Sequence, residues 1–148
     1  RATGTQFITR DRKQSQLHLQ LLQRRLRHGH RLLFFPEGTS TDGRRVLPFK
    51  PTLFQSFLTP DLQGDLPIQA ITLAFHAPDG EDPRFYGWWG DSDLARHLLQ
   101  ALAYKRHGFV QVIYHDPVGA SEFSDRKSLA QHLHAQVASA LPWADPAA

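Results

Sequence analysis

Two short, continuously apolar runs constrain this chain most: RLLFF (31–35), ended by Pro36, and PIQAITLAF (67–75), opened by Pro67. Runs of that length without alternation are expected of strands covered on both faces, as in a parallel sheet. Around them the spacing turns helical. Leu17, Leu21, Leu22 and Leu26 recur at helical intervals between Ser15 and His28, and Gly29 is a natural stop. Leu94, Leu98 and Leu102 stand four apart behind an N-cap at Asp91 or Ser92. Leu129, Leu133, Val137 and Leu141 form one stripe behind a cap at Ser124 or Asp125. GTQFIT (4–9) and FVQVIYH (109–115) read as further strands, and Pro51 opens a short helix, TLFQSFL, that ends near Pro60. Alternating strands and helices predict an α/β domain, a mostly parallel sheet flanked by helices. It should occupy residues 1–141, with 142–148 as a flexible tail.

A chain of 148 residues is large enough for one domain with a real core. It contains no Cys, which excludes disulfides, thiolate metal sites and a cysteine nucleophile. It lacks any apolar run of about 18 residues, the length expected of a spanning helix. Met is absent even from position 1, so the chain is expected to be a piece of a longer protein. Charge is lopsided: residues 1–50 carry 11 Lys and Arg against Asp11, Glu37 and Asp42, whereas residues 51–148 carry 6 basic and 11 acidic residues. The first third should therefore face something anionic, such as phosphate, nucleic acid or a lipid surface, unless it is simply a solvated basic helix face.

The chemistry gathers where RLLFF ends, at FFPEGTSTDG (34–43). In open α/β sheets ligands bind beyond the carboxyl ends of strands. Gly38 lets a ligand approach backbone N–H groups, Thr39, Ser40 and Thr41 add hydroxyls, and the Glu37 carboxylate can accept from a polyol or orient a cation. Read as structure alone, Glu37 and Thr39 organise a tight turn and TDG (41–43) makes a second one.

FFPEGTSTDGRRVLPFKPTLF, preceded by GTQFITR, resembles the glycerophospholipid acyltransferase family. The family's second block, G-x-x-F-I-x-R, is matched by Gly4, Phe7, Ile8 and Arg10. Its third, F-P-E-G-T-R-S, is matched by Phe35, Pro36, Glu37, Gly38 and Thr39. LPIQAITL, with Pro67, is similar to its fourth. PFK (48–50) and GWWGDSDLARHL look like the bacterial lysophospholipid and lyso-ornithine-lipid branch. The resemblance implies a glycerol-3-phosphate-acyltransferase-like fold missing its N-terminal part. It also implies transfer of a fatty acyl group from acyl-CoA or acyl-ACP to a lysolipid hydroxyl, at the cytoplasmic face of a bacterial inner membrane. Arg10 would bind the acceptor's anionic headgroup, since a guanidinium presents a fixed fork of donors. Glu37, Gly38, Thr39 and Ser40 would line its glycerol-like portion. No cofactor beyond the acyl donor, no metal and no nucleic acid is implied.

Two departures stand out. Ser40 and Thr41 occupy the places where the third block usually continues Arg-Ser, leaving Arg44 or Arg45 as substitutes. The first block, His and Asp separated by four residues, is missing: none of the nine His has an Asp at that spacing, and His76 with Glu81 is the nearest imitation. Attack of a hydroxyl on a thioester needs a base, His is the usual one, and the Asp fixes its tautomer. The resemblance places that pair upstream of Arg1, so the chain alone is expected to be inactive and to hold no catalytic residue. The alternatives are a lipid-binding relative that has lost the pair, or a basic module binding RNA through Arg24, Arg25, Arg27, Arg44 and Arg45. His28 with His30, and His132 with His134, are spaced for a shared face only in strands. Trp88 and Trp89 beside Tyr86 fit either an interfacial belt or a packed cluster. The absence of GxSxG and Walker loops excludes the corresponding hydrolase and nucleotide readings.

Overall fold

The computed structural model describes residues 12–63, 66–90 and 93–143. Helix α1 (Arg12–Arg27) carries the leucine spacing read above, and the chain leaves it through Gly29 at φ +74°. Pro51 opens a 3-10 helix (Pro51–Ser56), followed by the short α2 (Pro60–Gln63). Helix α3 (Leu94–Ala103) is capped by Asp93, whose side chain accepts the N–H groups of Ala95 (2.9 Å) and Arg96 (3.4 Å). Asp93 therefore holds the cap expected at Asp91 or Ser92, which lie outside the described residues. Helix α4 (Arg126–Ser139) is capped by Asp125, as expected. Asp125 Oδ1 accepts from Lys127 N–H (2.6 Å) and Ser128 N–H (2.9 Å). The Ser128 and Lys127 amides hold the Asp125 carboxyl below the usual carboxylate range.

Four strands make two small ladders. β1 (Pro67–Ile68) pairs with β4 (Val118–Gly119), and β2 (Ile71–His76) pairs with β3 (Phe109–Tyr114), both antiparallel. The expected single strand over 67–75 is thus divided at Gln69-Ala70 between two partners. The mostly parallel sheet is not what the described residues form. The register explains why: His76 pairs with Phe109, so the excursion 77–108 leaves and returns at the same end of the sheet, which forces the antiparallel sense. RLLFF also enters no ladder. It is extended, with Arg31, Leu33 and Phe35 exposed and Leu32 and Phe34 turned partly inward.

Phe34 reaches the core, which is built largely of aromatic rings. Its ring lies 5.5 Å from Phe54 and 5.6 Å from Phe57, and Phe49 stacks on Phe54 at 6.4 Å. Leu129, Ala130 and Leu133 of α4 close this cluster from the other side. Fully burying a ring such as Phe54 stabilises by about 1.5–3 kcal/mol.

One face of the β2–β3 ladder buries Thr72 and Ala74. The other presents Leu73, Phe75, Val110, Val112 and Tyr114, all exposed. Thr72 donates to the Val137 carbonyl (3.0 Å), so His115 Nε2, 2.8 Å away, must be the donor to Thr72 Oγ1. The hydroxyl is fully buried and already committed, which makes this Thr–His contact a structural tie of sheet to α4.

Candidate functional site

Pro36 ends the extended run and turns the chain at Glu37-Gly38, with Gly38 N–H donating to the Phe35 carbonyl (3.2 Å). Two hydrogen bonds then fasten this turn to a segment further along the chain. Lys50 N–H donates to the Pro36 carbonyl (2.9 Å), and Leu47 N–H donates to Glu37 Oε2 (2.7 Å). The second is charge-assisted, the stronger kind. Residues 38–46 become a closed loop with Thr39 and Ser40 exposed on it. Glu37 is therefore both candidate ligand and structural clasp: Oε2 is spent on Leu47, and Oε1 is the oxygen left to meet a ligand.

Gly38 is required twice over. Its φ of +69° is the left-handed region that L side chains rarely adopt, and a Cβ there would come 2.7 Å from Lys50 Nζ. The close approach puts an ammonium directly over the turn. Sequence reasoning placed Lys50 in the PFK match without giving it a role. The contact arises from the Lys50–Pro36 backbone bond, a tertiary feature with no local signature.

The rest of the loop is built by its own polar residues. Gly43 N–H donates to Thr41 Oγ1 (3.1 Å) and Arg44 N–H to Asp42 Oδ1 (3.1 Å), the second turn read from TDG. From outside, Trp88 N–H donates to the Thr41 carbonyl (3.2 Å). Gly87 makes that approach feasible, because a Cβ on it would lie 2.6 Å from the Asp42 carbonyl oxygen. Helix α4 holds the loop's exit: His134 Nε2 donates to the Val46 carbonyl (3.3 Å), and its ring meets Phe49 edge-on at 5.4 Å.

Neither proposed substitute for the third-block Arg is directed to the turn. Arg44 lies over the Trp143 ring at 3.8 Å, and Trp143 Nε1 donates to the Arg44 carbonyl (2.9 Å). Trp143 belongs to the stretch expected to be tail. Arg45 Nε sits 3.9 Å from Asp42 Oδ1. Glu37, Gly38, Thr39 and Ser40 are consecutive on the clasped loop; Arg10 lies outside the described residues. The His pair on α4 diverges, His132 toward Phe123 (5.1 Å) and His134 toward Phe49. Trp88 is half-buried and Trp89 is exposed.

Chemically, the loop offers a carboxylate oxygen, two exposed hydroxyls and an ammonium within a few residues of one another. That set can hold a polar headgroup carrying both hydroxyl and anionic groups.

Comparison with known proteins agrees with this reading. Residues 1–74 match the family model "Acyltransferase". A lyso-ornithine lipid O-acyltransferase of Rhodobacter capsulatus is 51% identical over 141 residues, covering 95% of this chain and 51% of that protein. Proteins of the same name from Pseudomonas aeruginosa (33% over 141 residues; 93% and 51% covered) and Brucella abortus (31% over 144 residues; 90% and 53%) are also similar. The chain spans about half the length of these curated relatives. No solved structure gives a significant match. The clasped PEGT turn and the family match over the residues that build it lead to one conclusion: this chain belongs to the acyltransferase family.

Proposed function

We propose that this chain supplies the acceptor-binding part of an O-acyltransferase that acylates a lyso-ornithine-type lipid at the cytoplasmic face of a bacterial membrane. In the reaction, the acceptor hydroxyl attacks the thioester carbonyl of acyl-CoA or acyl-ACP. A C–O bond forms and the C–S bond breaks. The hydroxyl proton passes to the His of a His-x4-Asp block and then to the departing thiolate. That block, and the parallel strands of a glycerol-3-phosphate-acyltransferase-like sheet, would lie outside the described residues.

The single observation that carries this reading is the Glu37–Gly38 turn, clasped by Leu47 and overlain by Lys50, in a chain of this family. Glu37 Oε1 and the hydroxyls of Thr39 and Ser40 would orient the acceptor. Arg10 and the Lys50 ammonium would meet the carboxylate of an ornithine headgroup, which has no phosphate to offer. The donor's acyl carbonyl would then be presented to a hydroxyl already held in place, an advantage of positioning.

The test uses a protein that joins this chain to a His-x4-Asp block, with labelled acyl thioester and lyso-ornithine lipid as substrates. Glu37→Gln and Arg10→Ala should each lower acyl transfer by orders of magnitude. Near-normal turnover in both variants overturns the proposal.

A further inference from the structure

We propose that the C-terminal end of α1 is a docking site for the phosphate of an anionic phospholipid, separate from the acceptor site and reading the surrounding membrane. The last turn of α1 carries Arg24, Arg25 and Arg27, and no acidic residue occupies its first turn. With Leu21, His28 and His30, Arg24 and Arg25 line an open concavity of about 280 Å³. Ligand pockets that bury a whole small molecule run from roughly 300 to 1,000 Å³, so an open hollow of this size suits a headgroup phosphate.

A helix C-terminus ordinarily repels anions, because its unpaired carbonyls carry partial negative charge. Here the chain covers them. His28 N–H donates to the Arg24 (3.2 Å) and Arg25 (3.1 Å) carbonyls, Gly29 N–H to Leu26 (2.9 Å) and His30 N–H to Arg25 (3.1 Å). His28 Nδ1 adds a further donation to the Arg24 carbonyl (2.7 Å), which also fixes that ring in the wall. The repulsive end of the helix is thus blunted while its guanidinium groups line the hollow.

What surrounds the hollow selects a lipid surface. Directly after His30 the extended run exposes Arg31, Leu33 and Phe35 in alternation, Leu33 at 77% and Phe35 at 67% exposure. On α1 itself Leu17 is 63% exposed. Cations beside bare apolar side chains suit a partner that is anionic at its headgroups and apolar beneath them. A polynucleotide would engage the cations and leave Leu33 and Phe35 in water. Phe35 also precedes Pro36-Glu37, so docking along this run would bring the clasped turn to the interface, where a lysolipid resides. The acceptor named for the relatives is built on an amino acid, so the phosphate bound at α1 comes from bulk phospholipid.

The experiment is flotation of the 148-residue chain with phosphatidylcholine vesicles, with and without phosphatidylglycerol, at constant ionic strength. Binding should require phosphatidylglycerol. Arg24→Ala with Arg25→Ala should lower partitioning about 30-fold, at about 1 kcal/mol for each cation near an anionic surface. Removing two exposed cations elsewhere, Arg96→Ala with Lys105→Ala, should change it less than about threefold by the same measure. Leu33→Ser with Phe35→Ser should weaken binding without altering its salt dependence. Far-UV circular dichroism checks that α1 survives; if the alanine pair unfolds it, Arg24→Gln with Arg25→Gln carries the same expectation. Equal losses from the two charge pairs, or full binding by the α1 variants, overturn the proposal. So does displacement by inorganic phosphate at matched ionic strength, which would mean that the site takes free phosphate. None of these outcomes bears on Glu37, whose variants are read by acyl transfer.

Discussion

Replacing Glu37 separates its two roles. The Leu47 N–H donates to Glu37 Oε2 at 2.7 Å, and both residues are half-buried. Glu37→Ala leaves that N–H without an acceptor, a loss of about 2 kcal/mol within the usual range of 1–3 for an unsatisfied group. Glu37→Gln keeps a carbonyl oxygen in reach and loses only the charge assistance, about 1 kcal/mol. For a chain of this size 1 kcal/mol moves the melting temperature by about 2–4 °C, so Ala should lower it by about 4–8 °C and Gln by about 2–4 °C. Amide hydrogen exchange at Leu47 should follow, about 30-fold faster in the Ala variant, since each 1.4 kcal/mol is a factor of ten. Melting temperatures and Leu47 exchange indistinguishable from the parent chain in both variants would refute the clasp. With the clasp intact in Glu37→Gln, a collapse of acyl transfer in that variant would report on the acceptor and not on unfolding.

The buried hydroxyl of Thr72 makes a second prediction. Thr72→Val keeps the shape but strands the Val137 carbonyl and the His115 Nε2–H, so urea unfolding should show a loss of about 1–3 kcal/mol. Thr72→Ser retains the hydroxyl and should cost less; the reverse order would show that the hydroxyl is idle. A third concerns acid. Arg84 donates twice to Asp82, Nε to Oδ1 (3.0 Å) and Nη2 to Oδ2 (2.7 Å), which lowers the Asp82 carboxyl to about 2. A depressed carboxylate contributes stability above its unfolded value, near 4, and loses it as pH falls toward 2. Because Arg84 also lies 5.8 Å from the Trp89 ring, tryptophan fluorescence should change across that window and not above it. Asp82→Asn should flatten the change, and an unaltered titration would dismiss the pairing as its cause.

What could be read from the sequence was what is local. The leucine spacings of α1, α3 and α4 and the Asp125 cap depend on residues within a turn or two of one another, and they appear where expected. Asp93 was missed as the α3 cap because Asp91, Ser92 and Asp93 satisfy the same compositional rule, and only the Ala95 and Arg96 amides choose among them. The sheet was less legible. A continuous apolar run does not state its partner, and PIQAITLAF serves two: Pro67-Ile68 meets β4 and Ile71–His76 meets β3. The site was half legible. The FPEGT pattern marked Glu37 to Ser40, but Leu47 and Lys50 enter through contacts ten and more residues apart in sequence.

The alternation at 31–35 limits how this part of the chain can change in length. Phe34 is locked among Phe54 and Phe57, while Leu33 and Phe35 look outward. Inserting or deleting one residue between Gly29 and Pro36 would reverse every side chain in the run, drawing Leu33 or Phe35 into a slot shaped for Phe34. A change of two residues would preserve the pattern. Descent should therefore tolerate paired length changes here and purge single ones.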